Sequence, residues 1–514
     1  MPASPQASFG GSADGTLAAR LLSEGALPWK LTFAGRTDDF TARTIAENLV
    51  DAARQRTALD AVVKALRPCS DGISSALAGP MREALVAQGP PSADGEPALV
   101  GAAIVSRPDR GGRGLASTTA RLQRGTVVLR EQPLQVACLM DGCQGTKGSG
   151  GLSPETALAL RLWRDGAAAP RSSRIQAARE ELLHHGGEDV SIRLERAVVA
   201  CTLALTMESG DCGVHAVQAS SVASVAAELF GWLSLVRVNA VAVTTVTDSD
   251  GDMVTSKSAL ALYPKLASSV NHDCRPNALL RFGSDFTVEV VVSVEGGVPP
   301  GEEITISYGP TAATMPRSQR QSVLLAQYGF MCACAACGAR APEDFSWRER
   351  AEALDARARE EVGREAWRAA AAASAASLAL LREGYADWGG VELAREECKL
   401  AGLKLRAGDV AKAFELWSSA AAVLRALVRQ GDPDLDEAED MVRRLQNTAP
   451  TASGSAKKRN AQKHGAQSTV VSDAFEGVVL GLDAVLAAER SSAGVEAVTS
   501  AAGGDLGVHL DTLD

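Results

Sequence analysis

Residues 271–277 read Asn271-His272-Asp273-Cys274-Arg275-Pro276-Asn277. Two further stretches follow, Gly301-Glu302-Glu303-Ile304-Thr305-Ile306-Ser307-Tyr308 and Tyr328-Gly329-Phe330-Met331-Cys332-Ala333-Cys334-Ala335-Ala336-Cys337. Cys332, Cys334 and Cys337 place three thiols within six residues, and a tetrahedral zinc ion needs only one more soft ligand. Cys274, 58 residues before Cys332, is the best candidate for it. A free cysteine is commonly just a small buried hydrophobe. With 10 cysteines in 514 residues, however, three at this spacing argue for a metal set.

In residues 301–308 a turn feeds a strand in which Ile304 and Ile306 are expected to point one way, so Tyr308 is delivered at a strand end. A strand tyrosine alone would be structural. Here Tyr263, Tyr308 and Tyr328 are three of only 4 tyrosines in the chain, which concentrates the phenols at one place. Asn271 and His272 offer amide and imidazole donors, and Pro276 stiffens the exit from the motif. Gly111-Gly112-Arg113-Gly114-Leu115 is a glycine-rich turn that lets backbone approach a ligand closely. It lacks the strand, helix and downstream acid of a dinucleotide-binding fingerprint.

The length predicts about three units at roughly 150 residues each. A formal charge of -10 argues against a general phosphate-backbone binder and mildly favours a basic peptide. Four of the cysteines fall within residues 274–337, which suits a reducing compartment. Residues 1–26 show no basic segment followed by an apolar run, and no stretch reaches ~18 uncharged apolar residues. The expectation is a soluble intracellular protein, cytoplasmic and/or nuclear.

Residues 13–88 carry helical periodicity, as at Ile45, Leu49, Ala52 and Ala53, and end in the breakers of residues 89–95. From Ala98 short apolar runs read as strands, at residues 99–105, 126–129 and 287–292. Residues 153–233 turn helical behind Ser153-Pro154-Glu155. Residues 346–446 show apolar positions at helical spacing, such as Val410, Ala413, Phe414, Trp417, Ala421 and Leu424. They suggest packed helix pairs without a clean 34-residue consensus. Residues 448–468 read as a flexible linker. Lys457-Lys458-Arg459 is a short basic cluster there, read as solvated linker rather than an import signal. Cys138 and Cys143 read as incidental thiols, and Cys69, Cys201, Cys212 and Cys398 as singles.

Together these segments resemble the SET domain family of protein-lysine methyltransferases, and their layout resembles its SET and MYND (SMYD) branch. Gly112-Arg113-Gly114-Leu115 is similar to the family's first cofactor loop, with Gly125 and Pro133 spaced like its following strand and turn. The resemblance implies an α+β protein. A SET-type β-rich domain would occupy residues 98–310 with its helical insert at about 153–233, behind a helical leader (1–97) that matches nothing in the family. A zinc-binding post-SET segment (311–340), a C-terminal helical, TPR-like domain (341–447) and a linker with tail (448–514) would follow. No MYND finger is recognisable, and Ala240 stands where the branch has Ser.

The resemblance further implies that Gly112, Arg113, Gly114, Asn239, Ser268, Asn271, His272, Tyr308 and Phe330 surround S-adenosyl-L-methionine and a lysine channel. Tyr308 matches the catalytic tyrosine, Phe330 walls the channel, and zinc sits on Cys274, Cys332, Cys334 and Cys337. The implied function is methylation of a lysine in a protein or peptide, histone or non-histone, by a monomer without nucleic acid or membrane. In-line displacement at a methyl carbon demands a neutral, aligned amine, so positioning outweighs strong acid or base. The alternative is a catalytically idle SET scaffold that recruits partners.

Overall fold

The computed structural model describes residues 47–448, apart from 52, 68–69, 87–96, 108–111, 119, 139–151, 169–172, 183–189, 211, 213–220, 250–252 and 339–344. Residues 1–46, 449–514, Cys69 and Cys143 therefore lie outside the described residues. So do Ile45, Ala52 and the basic cluster at 457–459.

Two helices, α1 (Gln55–Leu66) and α2 (Ser70–Val86), precede short strands β1 (Ala98–Leu99), β2 (Ala102–Arg107), β3 (Gly112–Ser117), β4 (Val127–Glu131) and β5 (Gln135–Cys138). Helices α3 (Pro154–Ala168), α4 (Ser173–Glu181), α5 (Val190–Ser209) and α6 (Val222–Asn239) follow, then the hairpin β6 (Ala240–Ser249) and β7 (Met253–Leu262). Next come α7 (Pro264–Ser269), β8 (Asn271–His272), β9 (Ala278–Phe282), β10 (Val288–Val292) and β11 (Glu303–Ile306). The remaining elements are α8 (Arg317–Tyr328), α9 (Ala335–Gly338), α10 (Ser346–Gly363), α11 (Trp367–Tyr385), α12 (Gly390–Arg406), α13 (Val410–Leu427) and α14 (Pro433–Thr448).

The strands form three small sheets, in the orders β1-β4-β10-β9, β2-β3-β11-β8 and β5-β7-β6. The apolar run at 99–105 is broken into β1 and β2 by Gly101 at φ 66°, a conformation that favours glycine. The halves join different sheets. β11 is buried on both faces rather than one: Ile304 and Ile306 enter the core, and Glu303 and Thr305 are buried opposite them. Asn277 makes the polar face tolerable, because its amide accepts from Thr305 N at 2.9 Å and donates to the Glu303 carbonyl at 2.8 Å.

Helices α3–α6 fill the chain between β5 and β6, from Pro154 to Asn239. Leader residues Leu49, Leu59, Val62, Leu77 and Met81 share one buried cluster with Leu160, Leu203, Leu229 and Phe230 of these helices. Arg67 and Glu208 reinforce the contact through two hydrogen bonds. By length and hydropathy α6 could cross a membrane, but 72% of it is buried inside the protein.

Helices α10–α14 pack each against the next around a core containing Trp417, Leu424 and Ala401. The periodicity at Ala413, Trp417, Ala421 and Leu424 marks the buried face of α13, whereas Val410 is exposed. These helices meet the β domain at Glu289. That carboxylate is buried between Arg281 at 2.8 Å and Arg429 at 3.4 Å, with Arg130 alongside. Burial opposes its charge, but the Arg281 hydrogen bond and charge hold the Glu289 carboxyl below its ordinary value.

Candidate active site

β8 and β11 run parallel with Asn271 opposite Thr305 and His272 opposite Ile306. This register places the Asn-His pair beside the strand that leads into Tyr308. The Asn271 amide donates to the Arg113 carbonyl at 2.7 Å and to Glu303 Oε1 at 2.8 Å. It thereby ties the glycine-rich β3 to both other strands. Gly114 permits that approach: a Cβ there would stand 2.6 Å from Glu303 Oε1 and 3.2 Å from Asn271 Nδ2. Gly112 takes φ 114°, where side chains rarely fit.

Tyr308 is fixed at three points. Its hydroxyl donates to the Val270 carbonyl at 2.7 Å, its N–H to His272 Nδ1 at 3.0 Å, and its carbonyl accepts from the Tyr328 hydroxyl at 3.0 Å. Burial, with the neighbouring Tyr328 and Glu303, pushes the Tyr308 phenol above its ordinary value of 10, so it stays protonated. Gly329 ends α8 in the left-handed conformation, at φ 74°, and turns the chain so that Phe330 meets the cluster. The Phe330 ring centroid lies 6.3 Å from both Tyr308 and His272 and 6.4 Å from Tyr328. Tyr308, Phe330 and His272 are thus brought together. Tyr263 is not part of this group: it is fully buried, with its hydroxyl on the Phe286 carbonyl at 2.5 Å.

The other expected cofactor residues border the same strands. Asn239 ends α6, is buried, and donates to the Leu235 carbonyl at 2.8 Å. Because Ala240 pairs with Leu262, Asn239 stands beside the start of α7, which carries Ser268. Ser268 donates to the Lys265 carbonyl at 3.4 Å. The Arg113 guanidinium, partly exposed, donates to the Glu181 carbonyl at 3.1 Å. Beneath α7, the buried Glu131 carboxylate accepts from the Lys265 and Leu266 N–H groups at 2.9 and 2.8 Å. Burial nevertheless raises it to about 7.

Cys274, Cys332, Cys334 and Cys337 bring their sulfurs within 4.8 Å of one another. Cys274 Sγ lies 4.0 Å from Cys332 Sγ and 3.5 Å from Cys337 Sγ. A tetrahedron with Zn–S near 2.3 Å has edges of about 3.8 Å, so the donors fit such an ion in number, type and spacing. Shared hydrogen bonds push the Cys274 thiol up, chiefly through Cys332, and hold Cys334 down, chiefly through Cys274. Gln321 clamps the Cys332 backbone, donating to its carbonyl at 2.7 Å and accepting from its N–H at 2.8 Å.

Sequence reasoning missed Gln321, Arg320, Glu303 and Asn277 as supports of the site. Arg320 had one available signal, a charge four residues before Leu324 on the buried face of α8.

The SET domain family model matches residues 112–309. Histone-lysine N-methyltransferase ASHR2 of Arabidopsis thaliana is 41% identical over 96 residues, covering 18% of this chain and 22% of the relative. A SET and MYND domain-containing protein of Dictyostelium discoideum is 42% identical over 85 residues, 16% and 23% of the two chains. Protein-lysine N-methyltransferase SMYD4 of Danio rerio is 31% identical over 160 residues, 26% of this chain and 21% of the relative. The matched stretches thus span under a quarter of these relatives' own lengths.

Proposed function

Because this chain carries a SET domain and is homologous to SET-and-MYND methyltransferases, we propose that it is a protein-lysine N-methyltransferase that uses S-adenosyl-L-methionine. The observation that carries the proposal is the three-point fixation of Tyr308 beside Phe330, Tyr328 and the Asn271–Arg113 contact. When bound, the cofactor supplies a methyl group activated by a sulfonium. Arg113, Asn239, Ser268 and Asn271 would hold it, with Gly112 and Gly114 leaving room for close backbone approach.

In this mechanism the chain contributes geometry more than proton transfer. Tyr308 keeps its own proton on the Val270 carbonyl, so its oxygen lone pairs remain to orient a neutral lysine amine. Phe330, Tyr328 and the His272 ring exclude water around that amine, which favours its uncharged form. The substrate is a lysine-bearing protein or peptide, histone or not. We place the enzyme in the cytoplasm and/or nucleus as a monomer that binds neither nucleic acid nor membrane. The four cysteines are read as a zinc site and helices α10–α14 as a TPR-like domain.

The test is transfer of labelled methyl to core histones and other lysine-rich proteins by the full chain. Label on lysine that disappears in Tyr308→Phe is the expected result. Absence of cofactor binding by calorimetry in folded, metal-replete protein would point instead to an idle scaffold.

A further inference from the structure

Arg320 is fully buried, and a buried guanidinium costs several kcal/mol unless something negative faces it. Its Nη1 donates to the Met315 carbonyl at 2.6 Å, and its Nη2 reaches Cys337 Sγ at 3.7 Å. His272, also buried, reaches a different sulfur of the same cluster, with Nε2 3.3 Å from Cys274 Sγ. Its Nδ1 accepts the Tyr308 N–H, which places the ring hydrogen on Nε2 and aims it at the sulfur.

Sulfur accepts hydrogen bonds well as thiolate, and four thiolates around a divalent ion leave a net charge of about −2 in a buried place. We infer that Arg320 and His272 form the outer layer of the four-cysteine site, with Arg320 offsetting its charge and His272 coupling metal loading to the backbone of Tyr308. The inference rests on the reading that the cysteines hold a metal ion. Binding replaces thiol protons by the ion and releases them to solvent. The sulfurs then become fixed acceptors for the two donors. Without the ion the Cys274 sulfur reverts to a thiol, a weaker acceptor than a thiolate, and its grip on the imidazole that holds Tyr308 N–H weakens.

The test uses the full chain, stripped of metal under reducing conditions and titrated with Co2+. Thiolate charge-transfer absorption reports the site, and competition with a chelator gives the affinity. Arg320→Met should bind about 10–100-fold more weakly, the range seen when supports of metal ligands are removed. Arg320→Lys, which keeps the charge and loses the planar fork, should lose less, at least about threefold. Should Arg320→Met fail to fold, the lysine variant decides, and an unchanged affinity in it overturns the assignment. Hydrogen exchange then reads the link: the Tyr308 amide should be protected in loaded wild type and exchange faster after chelation. In loaded His272→Leu it should exchange fast. Protection indifferent to metal overturns the coupling. A wild type without thiolate bands would refute the metal reading itself, whereas a wild type that binds while its variants match it refutes only the outer layer.

Discussion

The Tyr308 hydroxyl donates to the carbonyl of Val270 at 2.7 Å, so the residue ending the 301–308 stretch is pinned to the one that introduces Asn271. In the proposed mechanism a neutral phenol in this position orients the lysine amine but does not take its proton. Single-turnover methyl transfer should therefore rise with pH between 7 and 9.5 as the lysine deprotonates, with no decline from a titrating tyrosine. Tyr308→Phe should lie about 100-fold lower with the same profile, while cofactor binding by calorimetry stays near wild type.

Gly114 tests packing between β3 and its supports. An alanine methyl would sit 2.6 Å from Glu303 Oε1, 2.8 Å from Arg107 Cγ and 3.2 Å from Asn271 Nδ2. Gly114→Ala should cost about 1–3 kcal/mol in urea unfolding. It should also weaken S-adenosyl-L-methionine binding in calorimetry.

The Asn277 amide makes two hydrogen bonds to the β11 backbone, donating to the Glu303 carbonyl and accepting from the Thr305 N–H. Asn277→Ala should lose about 2–3 kcal/mol of stability in denaturant melts. Asn277→Asp should be no better, because it sets a carboxylate oxygen against the Glu303 carbonyl and near Glu302.

Glu131 gives a pH signature. Burial lifts its carboxyl from 4.5 to about 7, so the native state holds a proton that the unfolded chain releases. Its stabilising contribution is full below pH 4.5 and disappears as pH rises through 7, a swing of about 3 kcal/mol. The unfolding free energy of wild type minus that of Glu131→Gln should fall across this window. A flat difference between pH 4.5 and 7.5 would contradict it.

The sequence alone determined the parts whose chemistry is local. Cysteine spacing after Tyr328, the Asn-His-x-Cys run and the turn before Ile304 each need only neighbours to be legible. So does the buried stripe of α13, because 3.6-residue periodicity is written along the chain. Tertiary structure decided what depends on distant partners. It joined the leader helices to the insert, split residues 99–105 between two sheets, and buried both faces of β11 because Asn277 could satisfy its backbone. It also turned both ring nitrogens of His272 to protein partners and left Arg320 against a sulfur. Such pairings are set by register and by the cost of burying a polar group unpaired. Neither quantity has a period or spacing that a single chain displays.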